Sequence, residues 1–125
     1  MRKKKSNRQK LIDKAYGLWC DAIHARGKCE LCGKSDGKLD AHHIEGRTGK
    51  LLYWLPNGIL LCFQCHRLGA HAETYSKQEQ FHEKLTQYLG VEKLDELKLI
   101  RNTVNKVNLV ELEQIIDDLN FIKNP

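Results

Sequence analysis

Apolar residues recur three or four apart in two stretches of this chain, separated by a middle that keeps no such rhythm. Leu11, Ala15, Leu18 and Ala22 form one helical series, and Ile12, Trp19 and Ile23 widen its face. Ser6 with Gln9 has capping-box spacing and Arg26-Gly27 is a stop, so the pattern predicts a helix from there to about Ala25. From Thr74 the helical rhythm returns. Ser76 with Glu79 predicts a cap, and Phe81, Leu85, Tyr88 and Leu89 a stripe that stops at Gly90. A shorter helix is expected over 92–103 with Leu94, Leu97 and Ile100 inward. Asn108 with Glu111 opens the last, with Leu112, Ile115, Ile116, Leu119 and Ile122 apolar. These stripes read as core. The middle, 28–72, is rich in Gly, Cys and His and offers only short strand-like runs around 38–44 and 58–62.

Charge changes this picture in one respect. The 125 residues carry a net +5, but residues 1–50 hold 13 Lys/Arg against 6 Asp/Glu, whereas 51–125 hold 8 against 10. Arg2, Lys3, Lys4, Lys5, Arg8 and Lys10 lie in a stretch without an acid. Such an arm suits a polyanion, because each neutralised phosphate releases counterions; a solvated tail is the plainer alternative. No apolar run approaches a membrane span, and the basic N-terminus lacks the apolar segment of a secretory signal, so a cytoplasmic protein is expected.

Cysteine spacing supplies the first chemistry. Cys29-x-x-Cys32 and Cys62-x-x-Cys65 are two matched pairs. Two thiolates three apart share a metal when the chain makes a tight knuckle, and two knuckles supply four sulfurs for a closed structural Zn²⁺ site. Disulfides fit poorly in a chain read as cytoplasmic, and a redox motif needs only one such pair. Cys20 is left over and reads as a small buried residue of the first helix.

A zinc module does not account for the polar residues gathered around these cysteines. "CELC", "DAHHI" and "PNGILLCFQCH" follow one another over residues 29–66. In that order they resemble the HNH endonucleases, whose site is a β-β-α finger holding one divalent metal. The resemblance implies that His43 is the general base, that His42 and His66 hold a catalytic Mg²⁺ or Mn²⁺, and that Asn57 braces the loop so the base is oriented. The chemistry agrees, because an imidazole titrates near neutrality and takes a proton from water. Asp40 remains an alternative ligand to His42, and His66 an alternative zinc ligand. His71 would touch phosphate or assist the metal, or is simply solvated. Arg47 and Lys50 are candidates for phosphate contact, as are Lys3, Lys4 and Lys5 of the arm.

The C-terminal part, with Gly69, His71, Tyr75, "LGVEKLDEL" and "NLVELEQII", resembles the tail of the phage NinG/Rap recombination endonucleases. The chain departs from that family at His42 (commonly Gly), at His66 (commonly Asn) and at "YWLP", which replaces an Arg-Phe. The resemblance implies an α+β, mostly helical fold: a small zinc-stabilised ββα-metal finger between an N-terminal helix and C-terminal helices. It divides the chain into 1–26, 27–72 and 73–125, and implies DNA as partner and cleavage of branched recombination intermediates. A homodimer would suit a four-way junction, which needs two opposed cuts. A homing, restriction or packaging nuclease acting on duplex, and a non-catalytic zinc module that binds nucleic acid, are the competing readings.

Overall fold

A computed structural model describes residues 4–103 and 105–125; Lys3 lies outside them. The described residues form a mostly helical fold around one two-stranded sheet. Helix α1 spans Asn7–His24, strand β1 Leu39–His43 and strand β2 Gly58–Cys62. The short helix α2, Phe63–Cys65, runs into a π-helical turn over His66–Ala70; α3 (Tyr75–Leu89), α4 (Val91–Arg101) and α5 (Leu109–Lys123) follow.

The helix starts follow local chemistry. The Ser6 hydroxyl accepts from the Gln9 amide, and the Asn108 side chain from the Glu111 amide, so both predicted caps form. The third differs. Helix α3 is capped by Thr74, whose hydroxyl accepts from Lys77 N–H, and Ser76 lies inside the helix. Thr74 has extended backbone, as a cap requires. Gly90 separates α3 from α4 at φ +89°, a conformation that favours glycine.

Strands β1 and β2 pair antiparallel, with His42 opposite Ile59 and His43 opposite Gly58. All five residues of β2 are buried, because its two faces serve two cores. Leu60 enters the first, with Ala15, Trp19 and Ile23 of α1 and Leu112, Ile116 and Leu119 of α5. Ile59 and Leu61 enter the second, with Leu85 of α3, Leu94 of α4, and Cys29 and Cys62. On α5 the expected apolar face ends early, since Ile122 is 53% exposed.

Glycine is required at the strand start. A methyl group on Gly58 would stand 2.5 Å from Ile23 Cδ1 and 2.7 Å from Trp19 Cζ2. The outer edge of β2 is closed by Glu30, whose amide donates to Leu60 O at 2.8 Å while its carboxylate accepts from Leu60 N–H at 2.6 Å. That carboxylate also takes bonds from Arg26 and Tyr88, tying α1, the sheet and α3 together. No helix among the described residues is long and apolar enough to cross a membrane.

Candidate functional site

The four predicted cysteines come together, their sulfurs all within 4.8 Å of one another. The Cys32 and Cys62 sulfurs are 3.6 Å apart, close to the roughly 3.8 Å edge of a tetrahedron with 2.3 Å Zn–S bonds. Gly33 follows the first pair at φ +80°, and its amide bonds back to Cys29 O at 2.8 Å, closing the knuckle. Burial pushes the Cys29 thiol up, but N–H groups of Cys62, Cys32 and Leu31 aimed at its sulfur outweigh this and bring it to about 7. Burial and the neighbouring thiols push Cys65 up. One sulfur is readied as a thiolate while others resist a second negative charge, a conflict that a cation resolves. The donor set fits a structural metal such as Zn²⁺.

Adjacent on a strand, His42 and His43 point to opposite faces. His42 lies on the α3 side, and its ring meets those of His66 and His71 edge-on, with centroids 5.0 and 5.2 Å away. The three imidazoles offer nitrogens all within 4.8 Å of one another, a second metal-competent cluster. The π-helical turn explains how His71 joins it. His71 N–H bonds to His66 O at 2.9 Å, so residues five apart, which an α-helix would separate, share one side. The sequence left His71 between a phosphate contact, a metal-assisting role and a solvated helix end; the structure groups it with His42 and His66.

Asp40 shares a face with His42, two residues along β1, and its carboxylate lies 3.1 Å from His66 Nδ1. Burial raises the Asp40 carboxyl, but the His66 bond and the charges of Lys38, His66 and Arg67 prevail and lower it. Asp40 thus orients the His66 ring, the arrangement that carboxylates take behind metal-bound histidines. His42 is held down to about 4, first by burial and then by His66, His71 and His43. Burial, His66 and Arg67 also lower His71. Neutral rings are the metal-binding form.

His43 faces α1. Its ring stacks on Trp19 at 4.0 Å and 7°, with Tyr16 beyond at 6.0 Å, and its Nε2 lies 2.9 Å from Leu52 O. With that carbonyl accepting Nε2–H, Nδ1 keeps its lone pair. Trp19 is itself fixed by its indole N–H, which donates to Trp54 O at 3.0 Å. Burial lowers His43, partly offset by the Leu52 bond.

Asn57 is wholly buried and places the loop that supplies Leu52. Its Oδ1 accepts from Glu45 N–H, and its Nδ2 donates to Gly46 O and Leu51 O, each at 2.9 Å. Gly46, at φ +87°, turns the chain out of β1.

A hollow of about 370 Å³ lies along the outer edge of β1 and is lined by His42, His43, His66, His71, Tyr16 and Arg47, among others. Both faces of the strand end reach it, which is how the adjacent histidines meet. Arg47 sits in its wall, its guanidinium 5.3 Å above the Tyr16 ring. Lys50 does not line it; its ammonium lies over Trp54. Of the arm, Lys5 is paired with Asp13 at 2.6 Å and Lys4 is exposed.

No family model, curated protein or solved structure matches this chain. Trp19, Tyr16 and the Leu52 carbonyl, which surround His43, had no sequence signal, because they reach it from 24, 27 and 9 positions away.

Proposed function

We propose that the protein is a metal-dependent DNA endonuclease of the HNH type, hydrolysing phosphodiester bonds in branched recombination intermediates. What carries this reading is the pair of histidine environments sharing one hollow. His42, His66 and His71 form an ion-holding cluster, and His43 stands beside it, outside the cluster and separately fixed. The order β1, β2, α2 with the cysteine knuckles at its base agrees with a ββα-metal finger. DNA of branched form is the substrate to which the resemblance of the tail points.

Three imidazoles suit a borderline divalent ion such as Mn²⁺ better than Mg²⁺, which takes oxygen ligands. When bound, that ion supplies positive charge to the scissile phosphate and the leaving oxygen. His43 accepts a proton from a water molecule at Nδ1, while Leu52 O holds Nε2–H and Trp19 fixes the ring plane. Asp40 holds His66 in one orientation. Arg47 offers a guanidinium to a phosphate oxygen entering the hollow.

The test is a cleavage assay on linear duplex, single-stranded, flap and four-way-junction DNA with Mn²⁺ or Mg²⁺. Preference for branched forms is expected. His43→Ala should keep its zinc and its DNA binding yet cut at least about a hundredfold more slowly, as loss of a general base does. Equal rates on plain duplex would remove the recombination reading. An unaffected His43→Ala variant would remove the catalytic one.

A further inference from the structure

The histidine hollow is the first of three hollows that share lining residues, together termed the groove. It shares His71 with a second hollow of about 230 Å³, lined by Arg67, Glu73 and Lys77 among others. The second shares Leu68 and Lys77 with a third of about 310 Å³, to which Gln64, Gln80 and Lys84 contribute. Lys77, Gln80 and Lys84 recur three and four apart, so they line one face of α3. Arg67 projects from the π-helical turn between two residues of the groove, His66 and Leu68.

Charge along this path is one-sided. Arg67, Lys77 and Lys84 are exposed and form no ion pair among the described residues, and Glu73 is the one acid lining the second and third hollows. Exposed cations without an ion pair also occur elsewhere, Lys14, Lys28 and Lys106 among them; what sets Arg67, Lys77 and Lys84 apart is their place along adjoining hollows. Three cations along these hollows, together with the side-chain amides of Gln64 and Gln80, match the spaced anions and acceptors of a sugar-phosphate backbone.

We infer that this groove is a DNA strand track, in which Arg67, Lys77 and Lys84 hold successive stretches of backbone leading to the histidine hollow. The inference rests on the nuclease reading for its direction. It places phosphate contacts in the acidic half of the chain, where net charge gives no hint of them.

The test uses the zinc-loaded full chain carrying Arg67→Gln, Lys77→Gln and Lys84→Gln together. Its control carries Lys14→Gln, Lys28→Gln and Lys106→Gln, exposed cations that line none of the three hollows. Binding of a fluorescein-labelled DNA duplex is followed by anisotropy across a salt series, without Mn²⁺. Each lost phosphate contact lowers the slope of log Kd against log salt by about 0.9, so the groove variant should lose between about 2 and 3. A loss no larger than the control's would overturn the inference. With Mn²⁺, the groove variant should show a raised KM. If the parent cuts no DNA yet the slope difference stands, the nuclease reading fails and the track survives.

Discussion

Removing the Asn57 side chain is the sharpest physical test of how the site is held. Asn57→Ala deletes three hydrogen bonds, those with Glu45 N–H, Gly46 O and Leu51 O. Each is worth roughly 0.5–1.5 kcal/mol net, and the stranded partners place the total near the middle of that range, at about 3 kcal/mol. For a domain of this size that is a fall in Tm of roughly 12 °C, at about 4 °C per kcal/mol. Asn57→Asp sharpens the test. It keeps the acceptor for Glu45 N–H but sets a carboxylate oxygen against two carbonyl oxygens where the amide had donated. At pH 7 it should be less stable than Asn57→Ala. Thermal and urea unfolding of the zinc-loaded variants, followed by circular dichroism, provides the measurement. A loss below about 1 kcal/mol for Asn57→Ala, or an Asp variant as stable as the parent, would refute the assigned network. Under the proposed function, Asn57→Ala should also slow cleavage in zinc-loaded protein below its melting range, because Leu52 O follows Leu51.

Asp40→Asn should weaken Mn²⁺ binding by about 10–100-fold in a titration calorimeter while leaving the cysteine site loaded, since it alters only the group behind His66. Burial and the neighbouring imidazoles hold His42 down to about 4 in the fold, against about 6.5 for a free imidazole. The unfolded chain therefore binds this proton first, and stability of protein free of the second ion should fall from pH 6.5 to 4 by up to about 3 kcal/mol. NMR titration of the His42 ring checks the origin of that loss; an ordinary midpoint would refute it. Cys62→Ser, or stripping by a strong chelator, should collapse the second core as well as the knuckles, because Cys29 and Cys62 are part of it. Loss of protection at Ile59 and Leu61 in hydrogen exchange would report this.

Local signals were readable and long-range ones were not. Ser6 and Asn108 announce their helices because a cap acts over three residues, and the cysteine pairs announce their cluster because each knuckle is local. Thr74 displaced Ser76 as a cap, since two candidates two residues apart are separated by backbone conformation rather than by residue type. The alternation of β2, with Leu60 to one core and Ile59 and Leu61 to the other, is invisible in "GILLC", where every position is apolar or bare. At the site, His42, His43, His66 and Asn57 could be picked out one by one. The stack of Trp19 on His43 and the arrival of His71 needed the packing of α1 on the sheet and a π-helical turn.

Cys65 and His66 are neighbours in the chain. Order in the sulfur cluster is thus handed to the imidazole cluster across a single peptide bond, through α2 and the turn that begins at His66. An oxidant that attacks only thiols should then loosen the placing of His66 without ever touching a ring.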